Sequence, residues 1–112
     1  MGEGMTEHEV QQAILARLGA VPGLLVWRNN TGAVKVDGGR LVRFGALGSA
    51  DVLGVSAPLG RLVALEVKSR AGRSSDLQAR WGKAVADLGG VYLVVRSVDE
   101  AVAGLRAHGI GV

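Results

Sequence analysis

Two apolar stretches joined by one capped amphipathic stretch constrain this chain more than anything else in it. "RLVALEV" (Arg61–Val67) and "GVYLVV" (Gly90–Val95) read as strands. Between them, "SDLQ" (Ser75–Gln78) is a capping box, in which a hydroxyl satisfies the N3 amide and the N3 side chain reaches back to the cap. Leu77, Trp81, Ala84, Val85 and Leu88 then recur at helical spacing, and Gly89–Gly90 end the run. A strand, a crossover helix and a second strand in one sheet form a parallel, right-handed unit.

The rest of the chain extends that unit. "TEHE" (Thr6–Glu9) and "SVDE" (Ser97–Glu100) have the same S/T-x-x-E/Q form, and helical spacing follows both. "LLVWR" (Leu24–Arg28) and "DVLGV" (Asp51–Val55) read as strands. "AVKV" and "RLVRF" flank "DGG" (Asp37–Gly39), the signature of a hairpin turn. The predicted order is α-β-β-β-β-β-α-β-α, a mixed α/β domain on a central sheet. With 112 residues, 48% of them hydrophobic, one compact domain over 1–112 is expected, its core spanning about 6–105. The 18 glycines fall mostly at element ends, as tight turns and close backbone approach require.

Composition removes several classes of function. The chain has no Cys, which excludes disulfides, thiolate zinc sites and thiol catalysis. No run of about 18 apolar residues exists, so no membrane span is expected. "MGEGMTEHEV" lacks a basic start and an apolar h-region, which argues against a secretory signal and for a cytoplasmic setting. Net charge is only +3, but between Arg28 and Lys83 ten basic residues face four acidic ones, a net +6. A basic middle suits a polyanion such as nucleic acid, and it equally suits an ordinary solvated surface.

Within this frame, Asp51 heads one apolar strand while Glu66 and Lys68 sit inside and just past the next. Strand alternation points Glu66 and Lys68 to one side, with Val63, Leu65 and Val67 toward the core. Antiparallel pairing of "DVLGV" with "ALEV" brings Asp51 beside Glu66. Two such carboxylates repel, and a divalent cation with oxygen ligands and retained waters, Mg²⁺ or Mn²⁺, relieves the conflict. Lys68 then stands where it can orient water or stabilise phosphoryl charge. An internal Asp–Lys or Glu–Lys ion pair satisfies the same spacing without a metal. The single Tyr92 lies in a core strand, and no Ser, Cys or Tyr nucleophile with a partner base is evident.

Taken together, "EHEVQQAIL", "WRNNTGA", "VRFGALGSADVLG", "LEVK" and "SDLQ" resemble, in order and spacing, the virus-type replication-repair nuclease (VRR-NUC) domain of the PD-(D/E)xK superfamily, in its small stand-alone form. The likeness runs from about Thr6 to about Leu105. It implies a restriction-endonuclease-like fold and a Mg²⁺- or Mn²⁺-dependent DNA endonuclease. Asp51 and Glu66 would hold the metal with their carboxylates and Val67 with its backbone carbonyl. Lys68 would position or activate the attacking water, Glu9 would reach the metal from the first helix, and Gln78 would hold the site or the scissile phosphate. The strand carrying Asp51 reads "SAD" and lacks the Pro of the superfamily's name. Glu9 and Gln78 are each N3 of a capping box; local geometry alone favours capping, and the resemblance favours the site.

The resemblance also implies DNA contacts by Arg28, Asn29, Asn30 and Thr31 at a strand end, by Ser49, and by Arg70, Arg73 and Ser74 in a basic loop opening a helix. Turns and solvated loops are the plainer explanations. His8 and His108 read as solvated. Small stand-alone members resemble junction resolvases, so the expectation is a homodimer cutting branched DNA in a bacterial or phage-infected cell. "GLLVW" and "HGIGV", with exposed-looking Ile110 and Val112, are the candidate interface, away from Asp51 and Glu66. A nicking or flap-type nuclease within a phage or mobile-element assembly is the alternative enzyme, and a non-catalytic DNA-binding module the alternative without turnover.

Overall fold

The computed structural model describes residues 4–112. Each helix begins where a hydroxyl supplies the acceptor that the first turn lacks. Thr6 Oγ1 accepts from the Glu9 amide at 3.1 Å, Glu9 Oε1 accepts from the Thr6 amide at 2.9 Å, and α1 (Glu7–Gly19) follows. Ser75 and Gln78 do the same for α2 (Asp76–Asp87). The third box is displaced by one residue. Ser97 caps α3 (Val98–Ala107) through the Glu100 amide, but Glu100 Oε1 accepts from Arg96 rather than from Ser97.

Four strands form the main sheet in the order β1 (Leu24–Arg28), β4 (Val52–Ser56), β5 (Arg61–Val67), β6 (Val91–Val95). β1 and β5 run antiparallel to β4, and β6 runs parallel to β5 after the α2 crossover, as predicted. α1 and α3 cover one face and α2 the other. Val63, Leu65 and Val67 meet Ile14, Leu18 and Leu105 in the core, while Ala64 and Glu66 point to the α2 face and are buried as well. A continuous apolar strand is what a position between two helical layers demands.

Two expectations need correction. The predicted hairpin forms, as β2 (Gly32–Lys35) and β3 (Leu41–Phe44) around a 3₁₀ turn at Asp37–Gly39, but it is a separate two-stranded sheet. Turn chemistry fixes that two strands pair, not what they pack on. The C-terminal tail is not an exposed interface either. Ile110 is 5% exposed and belongs to the core, and Val112 is partly buried against it. The Ile110 amide donates to Leu105 O at 3.0 Å, turning the chain back, and the Arg106 guanidinium holds Val112 O at 2.9 and 3.1 Å.

Candidate active site

The β4–β5 register opposes Val52 to Leu65, which puts Asp51 opposite Glu66, one step beyond the ladder. Asp51 Oδ2 accepts from the Val67 amide at 2.8 Å, and Asp51 O accepts from Asn29 N at 2.7 Å. Those two bonds fix the carboxylate at the head of β4 from both neighbouring strands. Glu66 is only 2% exposed. Its Oε2 accepts from Gln78 Nε2 at 3.0 Å and lies 3.3 Å from Lys68 Nζ, while its Oε1 is buried and, when ionised, has no donor among the described residues; only a proton shared with Asp51 pairs it. Burial first, and then the Asp51 charge beside it, push the Glu66 carboxyl up to about 7, against the pull of Lys68.

Gln78 therefore does both things the sequence left open. Its Oε1 completes the α2 capping box and its Nε2 reaches the buried carboxylate. Glu9 does one: it is exposed, and its hydrogen bonds with Thr6 hold its carboxyl below the usual range. Among the described residues no group of three or more Asp, Glu or His is gathered at metal-binding distance, and the hydrogen bonds of Glu9 that involve a side chain, its own or its partner's, are both with Thr6. The acidic side chain of α1 that meets this end of β5 is Glu7, whose Oε2 accepts from the Ser69 amide at 2.9 Å. Helical spacing carried that signal: Glu7 leads Val10, Ile14 and Leu18 along the core-facing stripe, and Glu9 does not. Arg96 holds Gly72 O at 2.8 Å, so the turn after Lys68 is fastened from α1 and from β6.

Tyr92 is a second residue that sequence reasoning set aside. It lies beside Ala64 on the α2 face, with its ring edge-on to Trp81 at 6.0 Å. Gly82 is required beneath it, because a Cβ there would collide with the Tyr92 ring. Its hydroxyl is buried, and burial, then Glu66 and Asp51, push the phenol up against the weaker pull of the Ser74 hydroxyl.

The expected nucleic-acid contacts fall into two groups. Arg28, Asn30, Thr31, Arg70, Arg73 and Ser74 are exposed. Asn29 and Ser49 are engaged with the fold: Asn29 Nδ2 donates to Ser49 Oγ and to Ala50 O, both at 2.8 Å, and Ser49 Oγ donates to Ala46 O at 2.6 Å. Leu25 and Trp27 on β1 are exposed, but by register they share the sheet face of Asp51 and Glu66, so "GLLVW" does not lie away from the site. Leu24, in the same segment, is core.

The donor set suits a hard divalent cation. Two adjacent carboxylates, one with a buried oxygen that no donor reaches, offer oxygen ligands of the kind such a cation takes. No family model matches the sequence, and no curated protein does. Solved structures do. One, titled "VRR_NUC domain", superposes with a TM-score of 0.62 at 24% identity, covering 93% of this chain and 98% of that one. Another, titled "VRR_NUC domain protein", gives 0.63 at 14% identity, covering 95% and 89%. With its central mixed sheet between helical layers, the chain has the fold of the VRR_NUC domain, which is restriction-endonuclease-like.

Proposed function

We propose that the chain is a Mg²⁺- or Mn²⁺-dependent DNA endonuclease, selective for branched DNA and acting as a homodimer. One observation carries the reading: the Glu66 carboxyl is buried against Asp51 with one oxygen that no donor reaches, Lys68 at its other oxygen, on a sheet face left open beside β1. In a closed core such a carboxyl costs stability without return; at a cation site it is a ligand.

Asp51, Glu66 and the Val67 carbonyl would hold the cation, which supplies charge neutralisation and water activation when bound. Gln78 keeps Glu66 oriented through Oε2, which leaves Oε1 free for the cation. Lys68 presents ammonium donors to the attacking water or to a phosphoryl oxygen as negative charge builds there. Water oxygen bonds to phosphorus, the opposite P–O ester bond breaks, and the released alkoxide takes a proton. Arg70 and Arg73, exposed and a few residues past Lys68 in sequence, would meet flanking phosphates. Two cuts placed symmetrically about a junction need two sites related by a two-fold axis. Leu59 and Leu88, among the most exposed apolar side chains, frame a groove at the other end of β5 and leave the site open.

Labelled four-way junction, flap, single-stranded and linear duplex DNA, each with Mg²⁺, Mn²⁺ or EDTA, test the reading. Metal-dependent cutting is expected, fastest on the junction, and Lys68→Ala should abolish it while circular dichroism stays native. Cutting in EDTA, or equal rates for Lys68→Ala and wild type, would sink the mechanism. Cutting of flaps or nicking of duplex in preference to junctions would replace the resolvase reading with the nicking or flap-type one.

A further inference from the structure

The β2–β3 ribbon is unexplained by the site. Among the described residues it pairs only with itself, and every strand residue in it is exposed except half-buried Gly32. An isolated two-stranded hairpin is marginal in water, so a ribbon in this position needs something to lie against. Its register sorts its side chains. Gly32 opposes Phe44 and Val34 opposes Val42, which gives one apolar face; Ala33 opposes Arg43 and Lys35 opposes Leu41, which puts both strand cations on the other. The apolar face packs partly on itself, the Phe44 ring lying over Gly32, where an added Cβ would sit 3.1 Å from it.

The ribbon's root is as specific as its faces. Its entry strand leaves from Asn29 and its exit returns through Ser49, and the Asn29 side chain and amide tie Ser49, Ala50 and Asp51 together. Gly45, at φ +80°, closes the exit against Thr31, where an added Cβ would sit 2.5 Å from the Thr31 side chain; both the sign of φ and the space demand glycine. The cationic arm is therefore anchored, through one asparagine, on the residue that heads the acidic site.

We propose that this ribbon is a DNA-gripping arm, its Lys35 and Arg43 face laid on the phosphates of a duplex entering beside Asp51. The inference rests on the reading of the chain as a protein that acts on DNA, and adds to it the element that holds the substrate. Charge complementarity selects the occupant: the ribbon from Gly32 to Phe44 carries three basic residues and one acidic, and a two-stranded ribbon fits a duplex major groove. Anchored as it is, the arm sets where the bound duplex lies relative to the carboxylates.

The test measures binding apart from cleavage. Fluorescence anisotropy with labelled four-way junction and linear duplex, in EDTA, compares wild type, Lys35→Ala/Arg43→Ala and a distal pair of equal charge loss, Arg17→Ala/Lys83→Ala. The ribbon pair should raise Kd by about tenfold or more and lower the slope of log affinity against log salt by about 2, and the distal pair should do neither. Lys35→Gln/Arg43→Gln should behave as the alanine pair and guards against a folding defect. Wild-type affinity in the ribbon variants, or equal losses in ribbon and distal pairs, overturns the proposal. So does a ribbon variant whose mass by light scattering halves while DNA affinity holds, which would make the ribbon a self-association surface. A wild type that binds through the ribbon yet cuts nothing with Mg²⁺ refutes the nuclease reading and leaves the arm standing.

Discussion

Glu66 is protonated in the cation-free fold up to about pH 7, whereas its ordinary value is 4.5. Between those limits the folded state holds a proton that the unfolded chain has released. The stability tied to Glu66 is thus fully present below about 4.5 and is lost as pH rises through about 7. The melting temperature of the protein in EDTA should fall across that window, and Glu66→Gln should flatten the fall by removing the titrating proton. Adding Mg²⁺ at pH 7.5 should restore the wild type and leave Glu66→Gln nearly unmoved. Thermal scans at pH 4.5 to 7.5 check this, and a wild-type profile that is flat in EDTA would deny the strain. At this scale the sequence was most informative where a residue broke a pattern: a carboxylate inside "VALEV" announces itself. It was least informative on α1, where Glu7 and Glu9 are equally acidic and only the core stripe separates them. Tyr92 was hidden for the opposite reason, since a tyrosine in an apolar strand breaks no pattern at all.

The three helix starts were legible because a capping box is local: four residues contain all of its geometry. What lies past the helix turn is not local, and α2 shows the difference. Nothing in "SDLQ" says that Gln78 also meets Glu66, twelve positions back on the strand beneath the helix. The two roles separate by experiment. Glu9→Ala should lower the melting temperature slightly and leave DNA cleavage per folded molecule intact, because its carboxylate accepts from the Thr6 amide in the cap. Gln78→Ala should lower it by a similar amount and reduce cleavage well beyond that, because it also frees the Glu66 carboxylate. Melting temperature and turnover on the same preparations decide; matched behaviour of the two variants would put Gln78 outside the site. The hairpin was legible for the same local reason, and its detachment from the main sheet was not, since pairing register says nothing of the surface beneath.

The parallel β5–α2–β6 unit followed from hydrophobic patterning, which records burial over the whole molecule. The tail escaped it. "HGIGV" is too short to show a period, and only the turn from Leu105 to Ile110 brings Ile110 into the core. The homodimer belongs to this scale, and light scattering at micromolar concentration should give twice the 11.5 kDa chain mass. A monomer, with or without junction DNA, would remove the paired-site arrangement. Leu59→Glu and Leu88→Glu should each shift the assembly toward monomer if the groove at that end of β5 is the contact.

The acidic pair comes from adjoining strands of one short hairpin, residues 51 to 67, whereas the core around it closes only with Ile110. As the chain leaves a ribosome, Asp51 and Glu66 are made before β6 (Val91–Val95), α3 (Val98–Ala107) and Ile110, which bury the strands that carry them. The nascent hairpin would have to carry two facing carboxylates in water, where both ionise and repel. That repulsion would oppose the strand pair at the centre of the sheet until the rest of the core is made. A free divalent cation in the surrounding solution would favour its early formation, acting on the unfinished chain before any substrate is met.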